Sequence, residues 1–359
     1  MIDADVHQES ITIEQLLPWI EPGIRNYISN SNFTMPGYLF PNPDHLVRQD
    51  AIADAGVPGS DYELFKEQYL DALDVDYAIV NGGSILLASC LPNTQVVAGI
   101  SVGYNRWLTE EWLPRDTRLR GALMVPSQQP EIAAQIIRDF GDKPGIVQVT
   151  LTFGSTSGYG QPHYHPIFEA AVEMNLRVAL HQGAEGSGIN APPATGYPRY
   201  FVEYHALAPI AAMAHTTSLI CHGVFEKYPE LGVVISEGGI LWLPGMLWRL
   251  DADWKGLRVE VPWVKRAPSE ILFEQMRFTT HPLEQPSGDG DLAQMLEAIG
   301  GLENVLMFAT GYPRWDSDSP SSVLERVPEA WHDAVMEGNA RSFYDLPPSS
   351  AGNGANGAG

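Results

Sequence analysis

Cysteine is almost missing: two residues, Cys90 and Cys221, in a chain of 359. No CxxC pair is present, so a disulfide framework is excluded and the expected setting is a reducing, cytoplasmic one. Both cysteines read as small buried apolar residues. Positive charge is scarce too. Lys and Arg total 21 against 44 Asp and Glu, a net charge of -23. Such a surface repels the phosphates of nucleic acids and of anionic lipid, which excludes both as partners. No apolar run approaches the length of a membrane span. The first residues have neither the basic start nor the apolar run of a signal peptide. No Gly-rich phosphate loop follows the first strand, so the dinucleotide-binding fingerprint of a doubly wound sheet is missing.

What the chain does have is alternation. Short β-type runs begin near residues 2, 75, 119, 145, 177, 232, 276 and 304, and helical periodicity separates each from the next. Eight strand–helix units predict a parallel sheet closed into a (β/α)8 barrel, of the TIM-barrel class. Residues 1–346 form one domain in this reading. Residues 9–70 are an irregular insertion with short helices after the first strand. Residues 347–359, rich in Gly, Ala, Asn and Ser, are a disordered tail.

Active sites of such barrels lie at the carboxyl ends of the strands. The first strand, Ile2-Asp3-Ala4-Asp5-Val6-His7, alternates faces, so Asp3, Asp5 and His7 are expected to point the same way. His181 ends the fifth strand, Glu237 the sixth and His281 the seventh. Imidazoles and carboxylates at four strand ends make Asp5, His7, His181, Glu237 and His281 a candidate metal shell for one ion, or for two with a bridging carboxylate. The competing reading is a hydrogen-bonded network with no metal. Asp316 and Asp318 are expected in a surface loop that caps a helix before Pro320, the alternative being that they reach inward to the site. His163, His165 and His205 fall on loops or helix starts, and His222 reads as a packed or capping residue. Trp242 reads as a core or interface residue, with a place in the substrate pocket as the alternative. The apolar side chains of residues 242–263 predict a homodimer.

These strand ends, with Tyr164-His165-Pro166-Ile167-Phe168-Glu169-Ala170-Ala171, Gly223-Val224-Phe225-Glu226-Lys227-Tyr228-Pro229, Glu237-Gly238-Gly239, Leu247-Trp248-Arg249-Leu250-Asp251 and Tyr312-Pro313-Arg314-Trp315-Asp316, resemble the amidohydrolase-related family. Its branch is that of the aminocarboxymuconate semialdehyde decarboxylase-like enzymes, and the resemblance spans nearly the whole chain. It implies a metal-dependent barrel, with Asp5 and His7 as the first-strand ligand pair and His181 as the fifth-strand ligand. Glu237 falls where the decarboxylases have a catalytic histidine.

A second departure sits on the eighth strand. The family's Ser-Asp-Tyr-Pro-His is replaced by Thr310-Gly311-Tyr312-Pro313-Arg314, and Gly311 can neither ligate through a side chain nor take a proton. Metal-hydroxide hydrolysis needs a bound water and a base. The leading expectation is therefore a non-haem iron oxygenase with one or two irons. It would hydroxylate a bulky, terpenoid-like acid or its CoA thioester and draw on an electron donor. Glu237 and His281 are the expected catalytic residues, and Arg314 is the anchor for an acid group. The alternative is a mononuclear zinc or manganese hydrolase or non-oxidative decarboxylase. A barrel kept only for binding is a third reading, disfavoured by Asp5, His7 and His181.

Overall fold

The computed structural model describes residues 1–8, 12–38, 40, 41, 43, 46–52, 59–193, 196–286 and 291–348. Eight parallel strands lie in sequential order: β1 (Ile2–Gln8), β2 (Tyr77–Gly82), β3 (Leu119–Met124), β4 (Ile146–Thr152), β5 (Arg177–His181), β6 (Val233–Ser236), β7 (Met276–Thr279) and β8 (Leu306–Met307). Backbone bonds from Ala4 N to Phe308 O (2.9 Å), His7 N to Tyr312 O (2.7 Å) and Gly311 N to Asp5 O (3.1 Å) join β1 to the chain leaving β8. They close the sheet into the expected (β/α)8 barrel. Helices lie between successive strands and pack apolar stripes on the outer face of the sheet. Pro130–Phe140 is an example, burying Ala133, Ala134, Ile136, Ile137 and Phe140.

β1 is buried at every position. Its pairing with β2 slips between Asp3 and Val6, and this irregularity changes what the first aspartate does. Asp3 leaves the candidate metal face. It accepts hydrogen bonds from Tyr69 Oη (2.7 Å) and Thr310 Oγ1 (2.6 Å), and so ties the insertion and the β8 exit to β1. Burial pushes its carboxyl up to about 6 against those bonds.

Within the insertion, the helices Ile13–Leu16, Pro22–Ser29 and Tyr62–Phe65 are short, in keeping with its irregular sequence. Phe65 and Tyr69 pack on Tyr312 with ring centroids 5.7 and 5.2 Å apart. Val47 pairs antiparallel with Arg314, which draws part of the insertion across the carboxyl mouth of the barrel. The expected tail lies beyond the described residues from 349 on. Among the described residues no helix is long and apolar enough to cross a membrane.

Candidate metal centre

Four of the five expected ligands converge. Ligand atoms of Asp5, His7, His181 and Glu237 all lie within 4.8 Å of one another, and all four residues are buried. His181 Nε2 is 3.2 Å from Asp5 Oδ2 and 3.7 Å from Glu237 Oε1; His7 Nε2 is 3.3 Å from Glu237 Oε1. The other nitrogen of His181, Nδ1, contacts the Gln182 carbonyl at 2.7 Å, which orients the ring. Asn81 Nδ2 donates to Asp5 Oδ1 at 2.7 Å and fixes that carboxylate. Asp5 Oδ2 and His181 Nε2 are buried without a hydrogen bond. Buried orphan atoms aimed at one point are costly unless something sits between them. Two imidazole nitrogens and two carboxylate oxygens fit a divalent ion, and the mixed set suits zinc, manganese or iron.

The electrostatics agree. Burial raises the Asp5 carboxyl, but the His181 and His7 rings outweigh it and hold it below the usual range. Burial acts likewise on Glu237, and Arg314 with the two imidazoles holds it well below. Burial lowers His181, yet Glu237 and Asp5 lift it to about 9. Glu237 also has φ +56°, a left-handed backbone that costs a non-glycine residue about 1–2 kcal/mol. Strain of that kind persists where surrounding structure imposes it, here at the sharp turn leaving β6.

His281 does not join this cluster. Its Nδ1 is 3.2 Å from Asp318 Oδ2, and its Nε2 faces Asp316 Oδ1 at 3.8 Å. The reason is Gly311, with φ +63°. A Cβ built there would lie 2.7 Å from His281 Cγ and closer still to Cδ2 and Nε2, so the imidazole occupies the space a side chain at 311 would need. Asp316 and Asp318 are accordingly not a surface loop. Asp318 is 8% exposed and held by Arg326 at 3.1 Å, and Asp316 turns into the barrel mouth.

A cleft with about 170 Å3 of solvent-accessible space opens over the cluster. The insertion contributes Tyr38, Leu46 and Val47, and the segment after β5 contributes Gln182 and Gly183. Phe201, Tyr204 and His205 come from the helix Phe201–Ala206, and Arg314, Trp315 and Asp316 from the β8 exit. Arg314 Nε is 2.6 Å from Glu237 Oε1, so the expected anion anchor stands beside the cluster. Trp242 lies elsewhere. Its indole donates to the carbonyls of Gly238 (2.9 Å) and Gly239 (3.0 Å), and its ring meets Phe278 edge-on. His165 contacts Lys227, and His222 contacts the carbonyl of Ser218.

Sequence reasoning overlooked Tyr38, Glu185 and Tyr204. Tyr204 donates to buried Glu185 at 2.6 Å and packs at a tilt on Tyr38, with centroids 4.6 Å apart. Burial pushes Glu185 up to about 6. None carries a periodic signal.

Ligand-type side chains gathered at the carboxyl mouth of a closed parallel barrel define a (β/α)8 protein with a candidate metal site. The chain belongs to the amidohydrolase family, whose profile matches residues 45–346, and to the decarboxylase-like branch its motifs resemble. A gamma-resorcylate decarboxylase of Polaromonas sp. (strain JS666) is 24% identical over 334 residues, 84% of this chain and 97% of that protein. Another from Rhodococcus jostii (strain RHA1) is 26% identical over 296 residues, 75% and 86%. The crystal structure of a dihydroxybenzoic acid decarboxylase from Polaromonas sp. JS666, with bound manganese and the inhibitor 2-nitroresorcinol, superposes with a TM-score of 0.63. It is 18% identical and covers 96% of this chain and 98% of that one. These relatives overturn the expectation of an iron hydroxylase with one or two irons and an electron donor: they are decarboxylases, in line with the alternative reading.

Proposed function

We propose that this chain is a non-oxidative, divalent-metal-dependent decarboxylase acting on a carboxylic acid with a largely apolar, ring-bearing body. The observation that carries the reading is one cleft in which the Asp5–His7–His181–Glu237 cluster, the Arg314 guanidinium and an aromatic wall meet. Manganese is the preferred ion, since the Polaromonas decarboxylase binds it, and zinc is the second candidate.

A bound divalent ion supplies a Lewis acid that polarises a substrate oxygen. The remaining work belongs to the chain. Arg314 presents a planar fork that pairs with a carboxylate and places the acid beside the cluster. Tyr38, Phe201 and Tyr204 flank the substrate body and exclude water, and Glu185 pins Tyr204 through its hydroxyl. Glu237, ionised and strained, adds a second negative oxygen where the resembled decarboxylases have a histidine. That lets the cluster hold a divalent ion closer to electroneutrality.

The test loads metal-free protein with manganese or zinc and incubates it without oxygen with 2,6-dihydroxybenzoate and a panel of aromatic and alkenyl carboxylic acids. Carbon dioxide release that needs the metal and not oxygen is the expected result. Oxygen uptake with an oxygenated product, or no carbon dioxide from any acid with either ion bound, refutes the reading.

A further inference from the structure

Removing the eighth-strand carboxylate leaves the cleft without its familiar proton carrier, yet a different set of titratable groups reaches the same space. Asp316 Oδ2 is 3.3 Å from His205 Nε2, while its Oδ1 faces His281 Nε2 at 3.8 Å. That Oδ1 atom is buried and makes no hydrogen bond. His281 is in turn held by Asp318, which Arg326 and Ser322 (3.4 Å) fix from behind. The result is a carboxylate–imidazole–carboxylate–imidazole row running from Arg326 to the cleft. Its last two members, Asp316 and His205, line the cleft together with His181 and Arg314. His205 comes from the helix Phe201–Ala206, with its ring beside Phe201 (centroids 5.7 Å apart) and Trp315 (6.4 Å). It is 28% exposed, so solvent reaches it. The charged groups acting on Asp316 besides the imidazoles include Glu237, which opposes its ionisation.

We propose that His205 and Asp316 form the acid–base dyad of the cleft, taking over what a side chain at position 311 cannot do, with His281 and Asp318 as positioning residues. The inference rests on the decarboxylase reading. Asp316 engages His205 Nε2 at 3.3 Å, which leaves Nδ1 as the proton-bearing atom toward substrate. The imidazolium gives that proton to the carbon bearing the carboxylate. The carbon–carboxylate bond breaks, its electron pair stays with that carbon, and carbon dioxide leaves. Water then returns a proton to the imidazole, and no oxidant or reductant enters.

The experiment compares wild type, His205→Ala and Asp316→Asn, each loaded with manganese, on the acid that wild type decarboxylates fastest. Proton transfer by a positioned group contributes roughly 10²–10⁴-fold. His205→Ala should therefore lose about 100-fold in kcat. Its KM and manganese affinity should stay within a few-fold of wild type, and added imidazole should restore much of the rate. Asp316→Asn should lose less, in kcat again. Retention of wild-type kcat by His205→Ala overturns the dyad and leaves the decarboxylase reading standing. A loss that imidazole does not rescue also overturns it, because a purely structural role predicts that outcome. Absence of carbon dioxide release by wild type across the panel overturns both.

Discussion

Substituting Gly311 by alanine isolates the most consequential packing decision in the site. The added Cβ points into the His281 ring, and the backbone sits at φ +63°. The left-handed conformation costs alanine about 1–2 kcal/mol relative to glycine. Forcing a buried ring aside adds about 1–3 kcal/mol of overpacking. His281 is 1% exposed and held by Asp318, so it has no free space to enter. Gly145 is the matching control. It has φ +87°, and a Cβ there would make only ordinary contact, 3.4 Å from Leu113 Cδ1. Urea denaturation should show Gly311→Ala losing roughly 1–3 kcal/mol more than Gly145→Ala. That excess corresponds to a further fall in Tm of about 1–4 °C for a chain of this length. In a His281→Ala background the excess should vanish, a coupling visible in a double-mutant cycle. Equal losses at Gly311 and Gly145 would refute the claim that the imidazole fills the missing side chain's place. By the same geometry, Gly311→Asp should displace the His281 ring.

Further outcomes follow from the same contacts. His181 is lifted to about 9 from an ordinary 6.5, so its contribution to metal-free stability is full below pH 6.5 and is lost as pH rises through 9. The loss amounts to about 3 kcal/mol by urea unfolding, and saturating manganese, which needs the neutral ring, should reverse the slope. Asp3→Ala should cost at least about 3 kcal/mol, because Tyr69 and Thr310 lose a buried acceptor, while manganese affinity changes little by calorimetry. Arg314→Gln should raise KM for the acid far more than it lowers kcat; an unchanged KM would count against its role as anchor. Trp248, Leu257, Val259 and Trp263 are 67%, 48%, 86% and 48% exposed, so light scattering at micromolar concentration should give a dimer mass.

The sequence by itself determined the barrel and most of the metal cluster. Period-two strands separated by helical runs have few ways to fold, and a parallel barrel gathers its strand ends at one mouth. Asp5, His7, His181 and Glu237 could therefore be brought together on paper, although they are far apart in the chain. Tertiary structure decided everything that depended on how those ends are filled. The slip in the β1–β2 pairing turned Asp3 from a neighbour of the cluster into a tie across the closure. The vacancy at Gly311 drew His281 out of the expected shell and toward Asp316 and Asp318, which had looked like surface residues. Tyr38, Tyr204 and Glu185 met only because an insertion and a loop with no period of their own fold over the same opening. Trp242 found its partners in the turn just before it instead of in the cleft. Local pattern fixes which face a strand residue takes, because the pleat imposes it. The contents of the cleft depend on side-chain volume and charge brought together from distant loops, which no local pattern records.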